Sequence, residues 1–131
     1  MRQCEAVPPE ELLQAVHEFN SGAWFECHET LEELWVGAKG ELRDFYQGML
    51  QLAVAQHHWR AGNFKGALIL LKGGGDLLSR VAPVCQGVDV AALRGAAGNL
   101  HLELSALGEE RMEQLPASSL LKVRLVPPLA G

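Results

Sequence analysis

The sequence is short of cysteine, and the three cysteines that it has form no recognisable pair. Cys4, Cys27 and Cys85 are far apart, and none belongs to a C-x-x-C motif. This spacing predicts neither a disulfide framework nor a zinc-thiolate site. The first five residues also lack the apolar stretch of a signal peptide. We therefore expect a cytoplasmic protein in a reducing compartment.

Basic residues and long apolar runs are also scarce. Lys and Arg number 11 against 16 Asp and Glu, which gives a formal net charge of −5 at pH 7. The basic residues are scattered singly, so no basic stripe is available to neutralise a phosphate backbone. The longest apolar runs, such as residues 67–71, are far shorter than the roughly 20 residues that span a membrane. Neither nucleic acid nor a membrane is expected as a partner.

Aromatic residues make up only 6% of the chain, whereas hydrophobic residues as a whole make up 48%, mostly Leu, Ala and Val. This balance is typical of packed helices rather than of a β-sandwich. A chain of 131 residues fits one domain and can bury roughly two-thirds of the surface of the unfolded chain. We predict a single all-α domain over residues 1–131, built as a bundle of about five helices.

Apolar residues recur at helical spacing in five segments. The predicted helices are one of about ten residues that starts at Glu10, one that carries residues 24–35, one from Glu41 to about Arg60, one from Phe64, and one that Asp89 caps and Gly108 ends. The similar sequences at residues 20–23 and 62–67 hint at paired helical hairpins, as in tetratricopeptide-type repeats.

The second half of the chain contains three consecutive glycines and a tail without helical periodicity. Each mid-helix glycine costs roughly 1 kcal/mol relative to alanine, yet Leu71, Gly75 and Leu78 keep the helical register. We therefore expect one continuous fourth helix, followed by a loop at residues 84–88. Residues 121–125 alternate between apolar and basic side chains, which predicts an extended arm laid over the bundle. A homodimer through the Leu93 to Leu107 stripe is one possibility, and burial of that stripe inside the bundle is the other.

The most unusual stretch is residues 20–35, which mixes five ionisable side chains with six large or soft apolar ones. At about 100° per residue, His28 and Glu32 fall between Trp35 and Phe25 on a helical wheel. They are one turn apart, so their side chains can meet. Their apolar neighbours predict that both are largely buried, and a buried acid and imidazole need partners. The same wheel places Cys27 on the apolar face, where we expect an inert thiol.

Two interpretations of this cluster remain open. The favoured one is a structural polar network that locks the second helix against the third in a non-enzymatic binding or scaffold module. Its members are His28, Glu32, Arg43, Gln47 and Gln51. The three tryptophans, at helical spacing, are expected in the core. The protein or small-molecule partner of such a module is not identified by these residues.

The alternative is a metal-dependent hydrolase built on His28-Glu29-x-x-Glu32. His28 and Glu32 would bind a divalent ion such as zinc, with His58 as the first choice for a third ligand. Glu29 would be the general base, as the equivalent acid is in H-E-x-x-H hydrolases, and Arg43 would steady a developing anion. Glu32 stands where those enzymes have a second histidine, and the E-x-x-H pairs of di-iron bundles are missing from the sequence.

Three blocks of residues also occur in an order that is typical of one family. The blocks are Phe19-Asn20-x-Gly22-x-Trp24-Phe25-Glu26-x-His28-Glu29-x-Leu31-Glu32-x-Leu34-Trp35, then Arg43-x-Phe45-Tyr46-Gln47-Gly48-Met49-Leu50-Gln51-Leu52-Ala53, and Gly62-Asn63-x-x-Gly66-Ala67. Over roughly residues 10–80 the chain resembles domain of unknown function 309, a family of small helical proteins of bacteria and archaea. The last fifty residues, which include the C-terminal helix and tail at residues 89–131, do not take part in this resemblance.

The resemblance implies an all-helical fold. It also implies metal-dependent hydrolase activity, which some classifications attach to the family without a substrate. The residues that carry over from the family signature are His28, Glu29, Glu32, Arg43, Gln47 and Gln51.

Overall fold

The computed structural model describes residues 3–127. Five α-helices dominate these residues: α1 Glu10–Asn20, α2 Trp24–Val36, α3 Gly40–Arg60, α4 Phe64–Leu78 and α5 Val90–Leu107. Short 3-10 helices occupy Gln3–Glu5, Glu109–Gln114 and Ala117–Ser119, and two short strands are β1 Val84–Cys85 and β2 Val88–Asp89. The all-α prediction is confirmed, including the five helices. None of the helices within residues 3–127 combines the length and the apolar character that a membrane span requires.

Each α-helix packs chiefly on its neighbours in the chain, so that α2 lies against α1 and α3, and α4 lies against α3 and α5. The long α3 is therefore central, and Phe45, Met49 and Leu52 on it are fully buried. The apolar stripe of α5 is buried inside the bundle: Leu93, Ala97, Leu100 and Leu104 are at most 2% exposed. Of the two possibilities for that stripe, these residues support burial inside the bundle.

The two hairpins, α1 with α2 and α3 with α4, are closed by the same turn. In each, three successive backbone amides donate to carbonyls four, three and five residues back. The second of these residues is a glycine with a positive φ, 79° at Gly22 and 84° at Gly62, a conformation that side chains disfavour. The paired hairpins that the sequence hinted at are present.

Helix α4 runs without a break through its three glycines, as predicted. A Cβ on Gly74 would lie 2.9 Å from the carbonyl oxygen of Gly48 and 2.7 Å from the Leu52 side chain. Because neither Gly48 nor Gly74 has a side chain, the backbones of α3 and α4 come close together at this point. The helical cost of Gly74 is thus offset by close packing of the two central helices.

The segment predicted as a loop at residues 84–88 is instead part of a small β-hairpin. Val84 pairs with Asp89 and Cys85 pairs with Val88. The turn between them has positive φ at both Gln86 and Gly87, the conformation that two-residue hairpins use. The loop prediction was wrong because glutamine at the first turn position is not a hairpin signal.

The C-terminal residues 120–127, here called the arm, are extended, as the alternating pattern predicted. Leu125 forms a bridge with Val88 of β2. The arm thus lies over the bundle beside the β-hairpin. The last residues of the predicted tail, 128–131, lie outside the described residues.

Cys4 and Cys85 form a disulfide with their Cα atoms 4.1 Å apart. The expectation of no disulfide was therefore wrong. The β-hairpin brings Cys85 beside the first 3-10 helix, where the Gln86 amide donates to the Cys4 carbonyl at 2.7 Å. The two cysteines are 81 residues apart in the sequence, so spacing motifs carried no sign of this pairing.

Candidate binding face

In helix α2 only Cys27 and Leu31 are completely buried. They lie on the side of the helix that packs against α1 and α3. Phe25 lies on the outward side and is 72% exposed. His28 and Glu32 have 39% and 53% of their side-chain surface exposed. The expected burial of this pair was wrong, because it assumed that Phe25 marks a buried edge of the helix.

Within the predicted cluster, His28 and Glu32 do come together. The His28 Nε2 lies 3.7 Å from the Glu32 Oε2, one helical turn away. This distance is longer than a hydrogen bond, and the pair is open to water. Such an exposed contact between an imidazole and a carboxylate contributes at most about 1 kcal/mol to stability.

Arg43, Gln47 and Gln51 lie on α3 and do not complete the predicted network. Arg43 is exposed, and its guanidinium stacks over the Trp35 ring at 4.2 Å from the centroid. Gln47 and Gln51 are half-buried, and no hydrogen bond between residues 3–127 joins them or Arg43 to His28 or Glu32. The contact of Arg43 with Trp35, a cation–π interaction, is what links this part of α3 to α2.

The structure does not bring His58 to the predicted metal ligands. Helices α2 and α3 are antiparallel, and Trp35 and Arg43 lie at one level. With a rise of about 1.5 Å per residue, His28 lies about 10 Å and His58 about 22 Å from that level. His58 instead lies 3.4 Å from the Asn63 amide at the α3–α4 turn. Among residues 3–127 no group of three or more His, Cys, Asp or Glu side chains converges on a metal position.

Glutamates dominate the outward side of α2. The helix contains Glu26, Glu29, Glu32 and Glu33, all exposed, and neither lysine nor arginine. It therefore carries most of the formal net charge of −5. Its exposed apolar side chains, Phe25 and Val36, lie at the two ends of this acidic stripe and are 72% and 68% exposed.

We call the residues Phe25, His28, Glu29, Glu32 and Val36 the α2 face. Spacings of three and four residues place them along one side of the helix. The arrangement offers two apolar contacts that flank a row of carboxylates and one imidazole. It can bind a complementary surface, and it lacks a third ligand for a metal among the described residues.

Cys27 and the tryptophans behave largely as structural residues. Burial raises the pKa of the Cys27 thiol to about 12, with Glu18 adding to the shift, which agrees with the prediction of an inert thiol. Trp59 is 3% exposed, and its ring nitrogen donates to the Met112 carbonyl at 3.4 Å. Trp24 and Trp35 are only half-buried.

Two polar residues with long-range contacts were missed by the sequence reasoning. The Asn20 side chain, considered only as a helix cap, binds the backbone of Val123. The buried Gln56 side chain accepts a hydrogen bond from the Leu121 amide at 2.7 Å. The local sequence has no signal for either contact, since the partners are 103 and 65 residues away.

Comparison with known proteins finds a family similarity over part of the chain. The model of domain of unknown function 309, DUF309, matches residues 12–70. The match covers a little under half of the chain, and over that segment the chain is similar to DUF309. The resemblance suggested by the sequence motifs is thereby confirmed, and the α2 face, Arg43, Gln47, Gln51 and His58 all lie within the matched segment. Helix α5 and the arm lie outside it.

Two curated relatives match part of the chain. An uncharacterised protein of Aquifex aeolicus (strain VF5) is 36% identical over 55 residues, which is 41% of this chain and 16% of that protein. The uncharacterised protein YpuF of Bacillus subtilis (strain 168) is 38% identical over 65 residues, 48% of this chain and 37% of YpuF. The chain thus matches well under half of the length of each relative.

Proposed function

We propose that the DUF309 domain is a non-enzymatic binding or scaffold module and that its α2 face docks a protein partner. The observation that carries this proposal is the exposure of Phe25, at 72%, beside the exposed carboxylates of Glu29 and Glu32. Single exposed apolar residues are ordinary. Here, however, the exposed phenylalanine, the imidazole and the carboxylates share one helix face in the most densely patterned stretch of the sequence.

The charge of the α2 face defines the chemistry of the partner. A surface with several carboxylates and neither lysine nor arginine attracts basic segments and repels acidic ones, including nucleic acid. The apolar ends, Phe25 and Val36, match apolar side chains about three helical turns apart in the partner. An amphipathic helix with lysine or arginine between apolar residues meets both requirements.

The face is also held rigidly. Leu31 and Cys27 anchor α2 through its buried side, and Arg43 of α3 stacks on Trp35. A surface that is already ordered before binding loses little conformational entropy when a partner docks. Arg43 accordingly has a positioning role in this proposal.

A defined peptide tests the proposal directly. The probe is a synthetic 18-residue amphipathic helix of leucine and lysine, added to the full chain while the tryptophan fluorescence and the heat of binding are followed. We expect binding that weakens at high salt, and at least a tenfold loss in the E29K/E32K variant. The matched control is E109K/E110K, which makes the same charge change on an exposed 3-10 helix. Equal losses in the two variants would overturn docking on the α2 face.

A metal-dependent hydrolase is the second candidate, because His28 and Glu32 lie 3.7 Å apart and open to solvent, with Glu29 beside them. In this candidate the pair binds a zinc-like ion, Glu29 is the base and Arg43 the anion-stabilising group. Elemental analysis of untagged protein, with the H28A/E32A variant as control, tests it. Stoichiometric metal that the variant loses would favour the hydrolase, and absence of metal together with an unchanged melting temperature in chelator would remove it.

A cytoplasmic location remains a proposal from the sequence. Disulfides are rare in reducing compartments, and Cys4 is bonded to Cys85. Alkylation of free thiols in intact cells, followed by mass spectrometry, shows whether Cys4 and Cys85 are reduced or disulfide-bonded. Alkylated Cys4 and Cys85 support the cytoplasm, and a bonded pair argues against it.

A further inference from the structure

The arm is held by its backbone. The Leu121 amide donates to the Gln56 side chain at 2.7 Å. The Val123 amide and carbonyl both bond the Asn20 side chain, at 2.7 and 2.9 Å. Further along, the Arg124 carbonyl accepts from Asp89 and the Val126 amide donates to Gly87. The side-chain amides of Gln56 and Asn20 thus form the backbone hydrogen bonds that a neighbouring strand would form in a sheet.

The side chains of the arm alternate between the core and the surface, as they do in a strand. Leu121 and Val123 are 4% and 3% exposed, whereas Lys122 and Arg124 are exposed. Lys122 donates to the backbone carbonyl of Asn20 at 2.6 Å. Both basic residues share a cleft of about 390 Å³ with Glu103 of α5. The site therefore accepts apolar side chains at alternate positions and basic ones between them.

The Gln56 side chain is only half used by the arm. The residue is 1% exposed, and its Nε2 has no hydrogen-bond partner among the described residues. A buried donor without a partner is costly. An extended segment that presented a carbonyl oxygen to Nε2 would remove that cost and would therefore bind more tightly than the arm.

We infer that Asn20 and Gln56 form an amide clamp for an extended segment of a partner protein, and that the arm is an intramolecular occupant which competes with it. The segment has apolar residues at alternate positions with basic residues between, as in Leu121-Lys122-Val123-Arg124. Both clamp residues lie within the DUF309 match at residues 12–70, and the arm does not. This inference is independent of the α2 face.

A nicked form of the whole chain tests the clamp. A protease recognition sequence is inserted between Ser118 and Ser119 of the last 3-10 helix, where Ser118 is exposed, and is then cleaved so that every residue is retained. A fluorescent peptide of residues 119–131 is added, and its exchange for the arm is followed by anisotropy. We expect exchange, and at least a tenfold weaker affinity in N20A, which loses both hydrogen bonds to Val123. The control N99A lines the same cleft from α5 without a hydrogen bond to the arm, and should change affinity by less than about twofold.

Two further peptides separate a partner site from a clamp for this chain alone. A peptide with Ile-Arg-Ile-Lys in place of residues 121–124 should bind like the parent, whereas Leu-Glu-Val-Glu should bind at least tenfold more weakly. Failure of the Ile-Arg-Ile-Lys peptide would overturn the partner site. Equal affinity of N20A and the parent would overturn the clamp.

Amide hydrogen exchange on the uncut chain covers the case in which the nicked form does not stay folded. We expect the Leu121 and Val123 amides to exchange at least tenfold faster than those of Leu52 and Ala53 in α3, because the arm opens while the bundle stays folded. Equal rates would show that the arm leaves only on global unfolding, and the inference would then be wrong.

Discussion

The two helical hairpins of this chain have the same turn and different surfaces. Offset by 40 residues, Gly22 and Gly62 occupy the same position in turns with the same hydrogen bonds, and Leu31 and Leu71 are both buried. On the second helix of each hairpin, however, Leu34 and Trp35 of α2 correspond to Gly74 and Gly75 of α4. The same turn is thus followed by large side chains in α2 and by glycines at the equivalent positions of α4.

The outward sides of α2 and α4 differ as well. Glu29 and Glu32 of α2 correspond to Ile69 and Lys72 of α4, so the acidic stripe is a property of the first hairpin alone. Lys72 pairs with Asp76 at 3.2 Å within its own helix. The comparison indicates that α4 is optimised for close packing on α3, whereas α2 presents chemistry to the solvent.

The largest effects are expected from the equivalent buried leucines. Leu31→Ala and Leu71→Ala should each lower the free energy of unfolding by about 2–5 kcal/mol, because each leaves a cavity in a packed interior. Urea denaturation measures both. The matched control is Leu102→Ala, which is 68% exposed in the parent and should have little effect. A small loss in only one of the two buried variants would break the equivalence of the hairpins.

The adjacent glycines of α4 should respond with opposite sign. Gly74→Ala should destabilise by about 1–3 kcal/mol, because its Cβ meets the Gly48 backbone and helices shift apart. Gly75→Ala has nothing within 4 Å of its Cβ and should stabilise by up to about 1 kcal/mol through helix propensity. Thermal melting of the two variants beside the parent gives the comparison. The same sign for both would contradict the glycine interface.

The N-termini of α2 and α4 offer a smaller and complementary test. The Asn63 side chain accepts from the Gly66 amide at 2.9 Å, whereas the equivalent Ala23 has no polar side chain. Asn63→Ala should cost about 1 kcal/mol, and Ala23→Asn should gain a comparable amount. Chemical denaturation of the single and double variants checks both signs. Destabilisation by Ala23→Asn would mean that the two turns are less alike than their hydrogen bonds indicate.

The smallest effect on stability should come from the α2 face itself. His28→Ala and Glu32→Ala should each change the free energy of unfolding by about 0.5 kcal/mol or less, since both side chains are solvated. The buried cluster expected from the sequence would instead cost several kcal/mol when one partner is removed. Urea titration at pH 7 distinguishes an exposed pair from a buried cluster. A decrease of several kcal/mol in the free energy of unfolding would support the buried cluster.

Much of the fold followed from local patterns. Apolar spacing placed all five helices, and Asp89 caps α5 as expected, accepting from the Ala92 amide at 3.0 Å. Alternation at residues 121–125 indicated the extended arm. The site was harder to predict. The helical wheel for α2 correctly placed His28 and Glu32 beside Phe25, but a wheel does not show whether another helix covers Phe25.

The sequence by itself determined where helices begin and end, because capping, glycine and apolar periodicity act within a few residues. Only the tertiary structure decided which faces are covered and which distant residues meet. The Cys4–Cys85 bond and the Asn20–Val123 contact join residues 81 and 103 positions apart. Such contacts depend on how the intervening helices pack, because that packing brings the distant residues together, and no local signal in the chain specifies them.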